Sequence, residues 1–201
     1  LEIAKHYPGR FAPGAKNKAQ YSATNYLLLE AILKETTGMS FEALVNLRVI
    51  GSLSLKNTYV FGPHSLERYF SLAPLYQGGT ILRAPQALAS SGADGGIVSN
   101  AQDTVLFLQG FWRGQFFDQS WCAKIPRQAI AAGHGLESGL GMTIQPGSSG
   151  KPDLMGLASH TGVAAAINPD NLSVGFVATN LMGDPHQGFR DLSTIVHTSS
   201  G

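Results

Sequence analysis

The 201-residue chain has one cysteine, Cys122, so no internal disulfide can form and folding must rest on packing. Charged residues make up only 13% of the sequence, and 14 basic residues against 13 acidic ones leave a net charge of +1. With no basic excess to neutralise phosphates, a nucleic-acid partner is excluded. No apolar run approaches the roughly 20 residues of a membrane-crossing helix, so no span is expected. The chain opens Leu1-Glu2-Ile3 with neither an initiator Met nor a signal peptide, and it reads as a mature chain or a fragment. Internal repeats and low-complexity segments are absent. His6, His64, His134, His186 and His197 share no spacing of the zinc-binding kind, so no metal is expected.

What the chain does have is 43% hydrophobic residues and 24 glycines. That composition describes a weakly charged globular protein with many tight turns, long enough for one core or two lobes of one domain. The stretch Tyr21-Ser22-Ala23-Thr24-Asn25-Tyr26 is polar and runs directly into Leu27-Leu28-Leu29, the pattern of a loop-to-helix junction. Ser22 can cap the helix and leave Tyr21 just outside it. The helix, expected from about Asn25 to Thr36, is apolar over most of its circumference and should be buried on several sides. Glu30 and Lys34 lie i,i+4 on its polar side, and Gly38 is the expected C-cap. Ser40 should cap a second helix with Phe41, Leu44, Val45 and Val49 on one face.

Leu1 to His6 reads as a helix end broken by Pro8-Gly9. Gly51 to Leu82 reads as short extended segments and turns with no long element. Ser91-Gly92-Ala93-Asp94-Gly95-Gly96 is a flexible loop leading into a helix. Ser99 and Gln102 form a capping box before Val105, Leu106, Leu108, Phe111 and Trp112. After Gly133 the period changes to two: Leu140, Met142 and Ile144 alternate with small or polar residues. Three more strands are predicted, Leu154 to Ser159, Val163 to Ile167 and Leu172 to Thr179. A closing helix over Gly188 to His197 should pack on them. Trp112 and Trp121 are expected in the core, and Cys122 as an inert buried thiol.

Three motifs occur in order: Tyr21-Ser22-Ala23-Thr24-Asn25-Tyr26, then Gly95-Gly96-Ile97-Val98-Ser99, then His160-Thr161-Gly162. Together with Pro13-Gly14, Lys56-Asn57-Thr58 and Thr37-Gly38, they resemble the penicillin-recognising serine hydrolases. That family comprises class C β-lactamases, D-alanyl-D-alanine carboxypeptidases and their esterase relatives. The resemblance covers about Phe11 to Asn180. It implies an α+β fold in which a helical lobe packs beside an antiparallel sheet flanked by helices. Tyr21 would stand on the helical side of a cleft and His160 to Val163 at the sheet edge. The chain then reads as the C-terminal portion of one such domain, mainly helical over 1–130, with sheet strands and a closing helix over 131–201.

The resemblance implies acyl transfer through an acyl-enzyme, with Tyr21 relaying protons. His160, Thr161 and Gly162 would bind substrate, and the N–H of Val163 would form half of an oxyanion hole. It also implies a small-molecule or peptide substrate and a periplasmic or secreted location, and it implies no cofactor. Two departures stand against it. Ala23 occupies a substrate-binding position where the family has Asn or Asp. No Ser-x-x-Lys precedes Tyr21, and the one such spacing, Ser148-Ser149-Gly150-Lys151, sits in a Gly/Pro turn rather than opening a helix. The chain as given is therefore expected to lack its nucleophile and to be inactive alone, with a complementary chain segment or a homo-oligomer as partner. The alternative is a non-catalytic relative that binds a peptide or peptidoglycan-like ligand. Taken alone, Tyr21 reads more readily as an aromatic packing at the start of a helix, and His160 as a polar residue at a strand end; the other motifs reverse the preference for Tyr21.

Overall fold

The structure is a computed structural model that describes residues 6, 8–12, 14–16, 18, 20–184 and 186–198. In chain order the elements are α1 (Ala23–Thr37), α2 (Phe41–Val45), a π-helical turn (Asn46–Ile50), α3 (Gly51–Leu53), β1 (Tyr59–Val60) and a 3-10 run (Pro63–Ser71). The hairpin β2 (Leu75–Gln77) and β3 (Thr80–Leu82) follows, then α4 (Pro85–Ala89), β4 (Ile97–Val98) and α5 (Ala101–Trp112). After two 3-10 turns come β5 (Ile130–Gly133), β6 (Leu136–Gly139), β7 (Met142–Pro146), β8 (Pro152–Ala158), β9 (Val163–Ile167), β10 (Val174–Ala178) and α6 (Gln187–Thr198). The chain divides into two compact units, Leu1–Tyr69 with Ala84–Ser99, and Phe70–Arg83 with Asn100–Gly201.

The second unit is built on a six-stranded antiparallel sheet in the order β10-β9-β8-β7-β6-β5. Successive side chains on a strand point to opposite faces, and here both faces are covered. Leu154, Ala164 and Ala166 pack with Phe189 and Leu192 of α6. Met155 faces the other way and packs with Met142, Ile144 and Ile125, joined by Phe111 and Trp112 of α5. This double cover explains why β9 reads as a continuous apolar run rather than an alternating one. Gly156 lies opposite Ala166, and a Cβ there would run into the Ala165 carbonyl, so no larger residue fits between the two strands.

In the first unit, α1 ends where expected, at Gly38 in the left-handed region (φ 69°), with its N–H on the Lys34 carbonyl. Ser40 caps α2 through a hydrogen bond from the Ala43 N–H at 3.2 Å. β1 pairs with β4, which ties Tyr59 and Val60 to Val98 and Ile97.

Several expectations are corrected. Helix α1 holds no buried residue, and Leu28, Leu29, Ile32 and Leu33 are 42–56% exposed. An apolar circumference signals that something should cover a helix, but among the described residues nothing covers that stripe. Ser22 sits at the N-cap position with extended backbone, yet its hydroxyl makes no capping bond. The cap of α5 is Asn100, whose Oδ1 accepts from the Asp103 N–H at 2.9 Å; Ser99 instead shares a hydroxyl contact with Thr58. Leu106, placed on the buried side of α5, is 40% exposed, while Asp103 and Thr104 are buried.

Leu140 has φ 45° in the turn between β6 and β7 and is exposed, so the alternation begins at Met142. Trp121 is 53% exposed beneath Lys124, whose ammonium lies 3.4 Å from the ring centroid. The 3-10 run Pro63–Ser71 is longer than anything expected between Gly51 and Leu82. Leu1 to His6, His6 apart, lies outside the described residues, as does Pro13. Cys122 is a buried thiol, and its burial pushes its pKa up.

Phe189 is wholly buried between α6 and the sheet, so Phe189→Ala is expected to cost about 3–5 kcal/mol in urea unfolding. Ile32→Gln on the exposed stripe of α1 should change the stability of this 201-residue chain by less than about 0.5 kcal/mol.

Candidate active site

The residues singled out from the sequence fall into two sets, one in each unit. In the first unit, the extended backbone of Ser22 (φ −147°) starts α1 and leaves Tyr21 outside the helix, 67% exposed. Its ring lies 6.0 Å from that of Tyr26. Its hydroxyl donates to Oδ1 of Asp94 at 3.5 Å. Ala23, the first residue of α1, presents only a methyl group there.

Asp94 is held by a structured loop. The Asp94 N–H bonds the Ser91 carbonyl at 2.9 Å and the Gly96 N–H bonds the Gly92 carbonyl at 2.9 Å. Glu30 of α1, expected to pair with Lys34, turns its carboxylate to this loop and accepts the Ala93 N–H at 2.9 Å. Gly92 has φ 51°, a left-handed conformation that favours glycine, and a Cβ on it would push against the Glu30 carboxylate.

The electrostatics of Tyr21 run against a basic role. Burial pushes its phenol above the ordinary value, and the negative charge of Asp94 pushes it further the same way. No cation among the described residues opposes the shift. As it stands, Tyr21 is a neutral phenol able to donate a proton and unable to accept one at neutral pH.

In the second unit, His160, Thr161 and Gly162 form the turn between β8 and β9, with Val163 opening β9. Ser159 organises that turn: its hydroxyl accepts the Thr161 N–H at 3.2 Å and meets the Thr161 hydroxyl at 2.9 Å, and its carbonyl accepts the Gly162 N–H. His160 is exposed, and its Nδ1 lies 3.0 Å from the Gly183 carbonyl. A carbonyl can only accept, so Nδ1 carries the hydrogen. Nε2 of the neutral ring is then a lone-pair acceptor and becomes a donor only on protonation.

Gly162 is in the left-handed region (φ 76°), and a Cβ there would clash with Thr179 Oγ1 and lie 2.7 Å from the Leu181 carbonyl. The chain's own strand end therefore dictates this glycine, whatever part it has in binding substrate.

Three residues in these sets were missed from sequence. Asp94 was seen only as part of a flexible loop; an acid among three glycines was the available signal. Asp184 and Arg190 fix the 181–184 segment against which His160 rests. The Arg190 guanidinium donates to Asp184 at 2.7 Å and holds its carboxyl below the usual range. Asp184 also accepts the His186 N–H at 2.9 Å at the start of α6. Ser148 and Lys151 lie in the exposed β7–β8 turn, not on a helix. Among the described residues no group of three or more His, Cys, Asp or Glu could hold a metal, and no helix is long and apolar enough to cross a membrane.

Gly162→Ala is expected to destabilise the protein by about 1–3 kcal/mol in thermal or urea unfolding. Adding Thr179→Ala should recover only part of this, because the positive φ and the Leu181 carbonyl remain.

Comparison with known proteins places this geometry. A D-stereospecific amidohydrolase from Streptomyces sp. superposes with a TM-score of 0.74 at 20% identity over 95% of this chain. A penicillin-binding protein from Bacillus halodurans gives 0.73 at 17% identity, also over 95% of the chain. A D-amino acid amidase from Ochrobactrum anthropi SV3, complexed with D-phenylalanine, gives 0.68 at 21% identity over 90%. The chain spans 58%, 60% and 62% of the lengths of these three proteins. No curated protein matches it by sequence. The Beta-lactamase family model matches residues 2–198, nearly the whole chain, and the protein belongs to the β-lactamase family.

Proposed function

We propose that this chain is the C-terminal portion of a serine hydrolase that transfers acyl groups through an acyl-enzyme, and that it lacks the nucleophile on its own. The observation that carries this reading is the built setting of Tyr21: a phenol at the start of α1, hydrogen-bonded to an acid on a loop anchored by Glu30. A helix-start aromatic with a purely packing role would be covered, and Tyr21 is two-thirds exposed. His160 to Val163 supply the second set, with the Val163 N–H as an oxyanion donor. The amidohydrolase and amidase likenesses favour amides of small acyl groups as substrates.

In such a reaction a serine oxygen bonds to the carbonyl carbon and gives up its proton. The leaving amine departs after receiving one. Tyr21, neutral as found, suits the second transfer. To accept the serine proton it needs a cation beside it, which a Ser-x-x-Lys lysine would provide. Fragment status draws support from two further features. The stripe Leu28, Leu29, Ile32 and Leu33 is uncovered. Strand β10, at the end of the sheet, has β9 as its neighbour on one side only among the described strands. An edge strand that is apolar throughout, as Val174–Ala178 is, invites a further strand. A periplasmic or secreted location follows from the family reading.

Ala23 favours a second reading, a non-catalytic member that binds a peptide or peptidoglycan-like ligand. Intact mass after incubation with a reactive penicillin, and separately with a fluorophosphonate, tests the first. The chain alone should show no adduct, and an adduct mapped to Ser148 would sink the fragment reading. A longer version that carries an upstream Ser-x-x-Lys should be acylated, and Tyr21→Phe in it should slow acylation by about 10²–10⁴-fold. A longer version with no such motif and no adduct would establish the binder.

A further inference from the structure

We propose that Asp94 determines substrate specificity at the Tyr21 site: its carboxylate receives the free α-ammonium of an aminoacyl substrate, so unblocked aminoacyl amides are selected over N-acylated ones. This rests on the reading of Tyr21 as part of an acyl-transfer site.

The position is the first support. Asp94 Oδ1 is 3.5 Å from the Tyr21 hydroxyl. In an aminoacyl amide the α-nitrogen is two bonds from the carbonyl carbon. A group that engages the α-ammonium must therefore stand beside the group that handles protons at that carbonyl, as Asp94 does.

The second support is that the placement is built. The carboxylate of Glu30 clamps the Ala93 N–H at 2.9 Å, one residue before Asp94. Gly92 and Gly96 flank the clamp. A Cβ on Gly92 would meet Glu30, and one on Gly96 would lie 2.7 Å from the Gly92 carbonyl. The Phe61 N–H bonds the Gly96 carbonyl at 2.7 Å and anchors the far end of the loop. An acid placed this firmly spends no ordering entropy when it meets a cation.

Charge is the third. Among the described residues no Lys, Arg or His forms an ion pair with Asp94. The charge that bears on Tyr21 is the Asp94 carboxylate. An uncompensated carboxylate beside the phenol holds its proton on. A substrate ammonium seated on Asp94 would cancel that charge as it binds, easing proton transfer only when an unblocked substrate is present.

The test uses the 201-residue chain with ring-labelled tyrosine, followed by NMR. The probes are D-phenylalanine amide, its N-acetyl derivative and 3-phenylpropanamide, which has no amine. D-phenylalanine amide should shift the Tyr21 resonance and bind about 5- to 10-fold more tightly than either other probe. Asp94→Asn should abolish that preference and let the Tyr21 phenol titrate at lower pH. The probe comparison in the unaltered protein stands even if the variant folds poorly. Equal binding of all three probes with Tyr21 shifted would overturn the role of Asp94 while leaving the acyl-transfer site intact. A preference that survives in Asp94→Asn would do the same. If no probe perturbs Tyr21, both the specificity assignment and the reading of the site beneath it fail.

Discussion

Strand β9 is the constraint on which the larger unit depends. From Ala164 to Ile167 every side chain is buried, and three of the four are alanines. Small residues on both faces let α5 and α6 approach the sheet from opposite sides, with Phe189 and Leu192 on one face and Phe111 and Trp112 on the other. Dispersion contacts at this spacing are many and individually small, so the strand cannot shift without loss on both faces. The His160-Thr161-Gly162 turn is the direct upstream extension of this strand. Its position follows from the packing of β9, and Gly162 is fixed further by the contact with Thr179 and Leu181.

The first unit works on another principle. Its candidate site is held by hydrogen bonds to charged groups more than by burial. Glu30 reaches from α1 to the Ala93 amide, and Asp94 on the same loop meets Tyr21. Bonds from backbone amides to a carboxylate are short, directional and stronger than neutral ones. They can place a loop that has little apolar surface of its own. This explains how Ser91 to Gly96, glycine-rich and without a core residue beyond Gly96 itself, still presents Asp94 in a defined position.

The protein belongs to the β-lactamase family, and among the described residues no cation acts on Tyr21. The solved relatives are longer, and this chain spans about three-fifths of each of the three compared. Acyl-transfer chemistry needs a nucleophile and a base with matched pKa values. This chain contributes a phenol whose surroundings hold it neutral, together with a histidine whose Nδ1 is committed to the Gly183 carbonyl. Among the described residues no cation stands beside the Tyr21 phenol to favour its ionised form.

Much was legible in the sequence because it is local. Period-two alternation located β7, and short apolar runs bounded by turns located β8 to β10, with Val163–Ile167 found to the residue. Gly38 and Ser40 marked the α1–α2 boundary through their own backbone and hydroxyl chemistry. The three motifs pointed to the family that the whole-chain match establishes. What failed was non-local. Leu28 to Leu33 announced a helix in need of cover, but burial is a relation between two surfaces and cannot be read from one. Glu30 had a local partner in Lys34 at helical spacing, yet tertiary contact gave it to Ala93, some 63 residues away. Asp94 carried no periodic or motif signal, because its meaning lies in standing 73 residues downstream of the tyrosine it touches. The sequence by itself determined strands β7 to β10, the α1–α2 boundary and the family. Only the tertiary structure decided which acid faces Tyr21 and why Gly162 must be glycine, because those depend on backbone and charged groups brought together by folding.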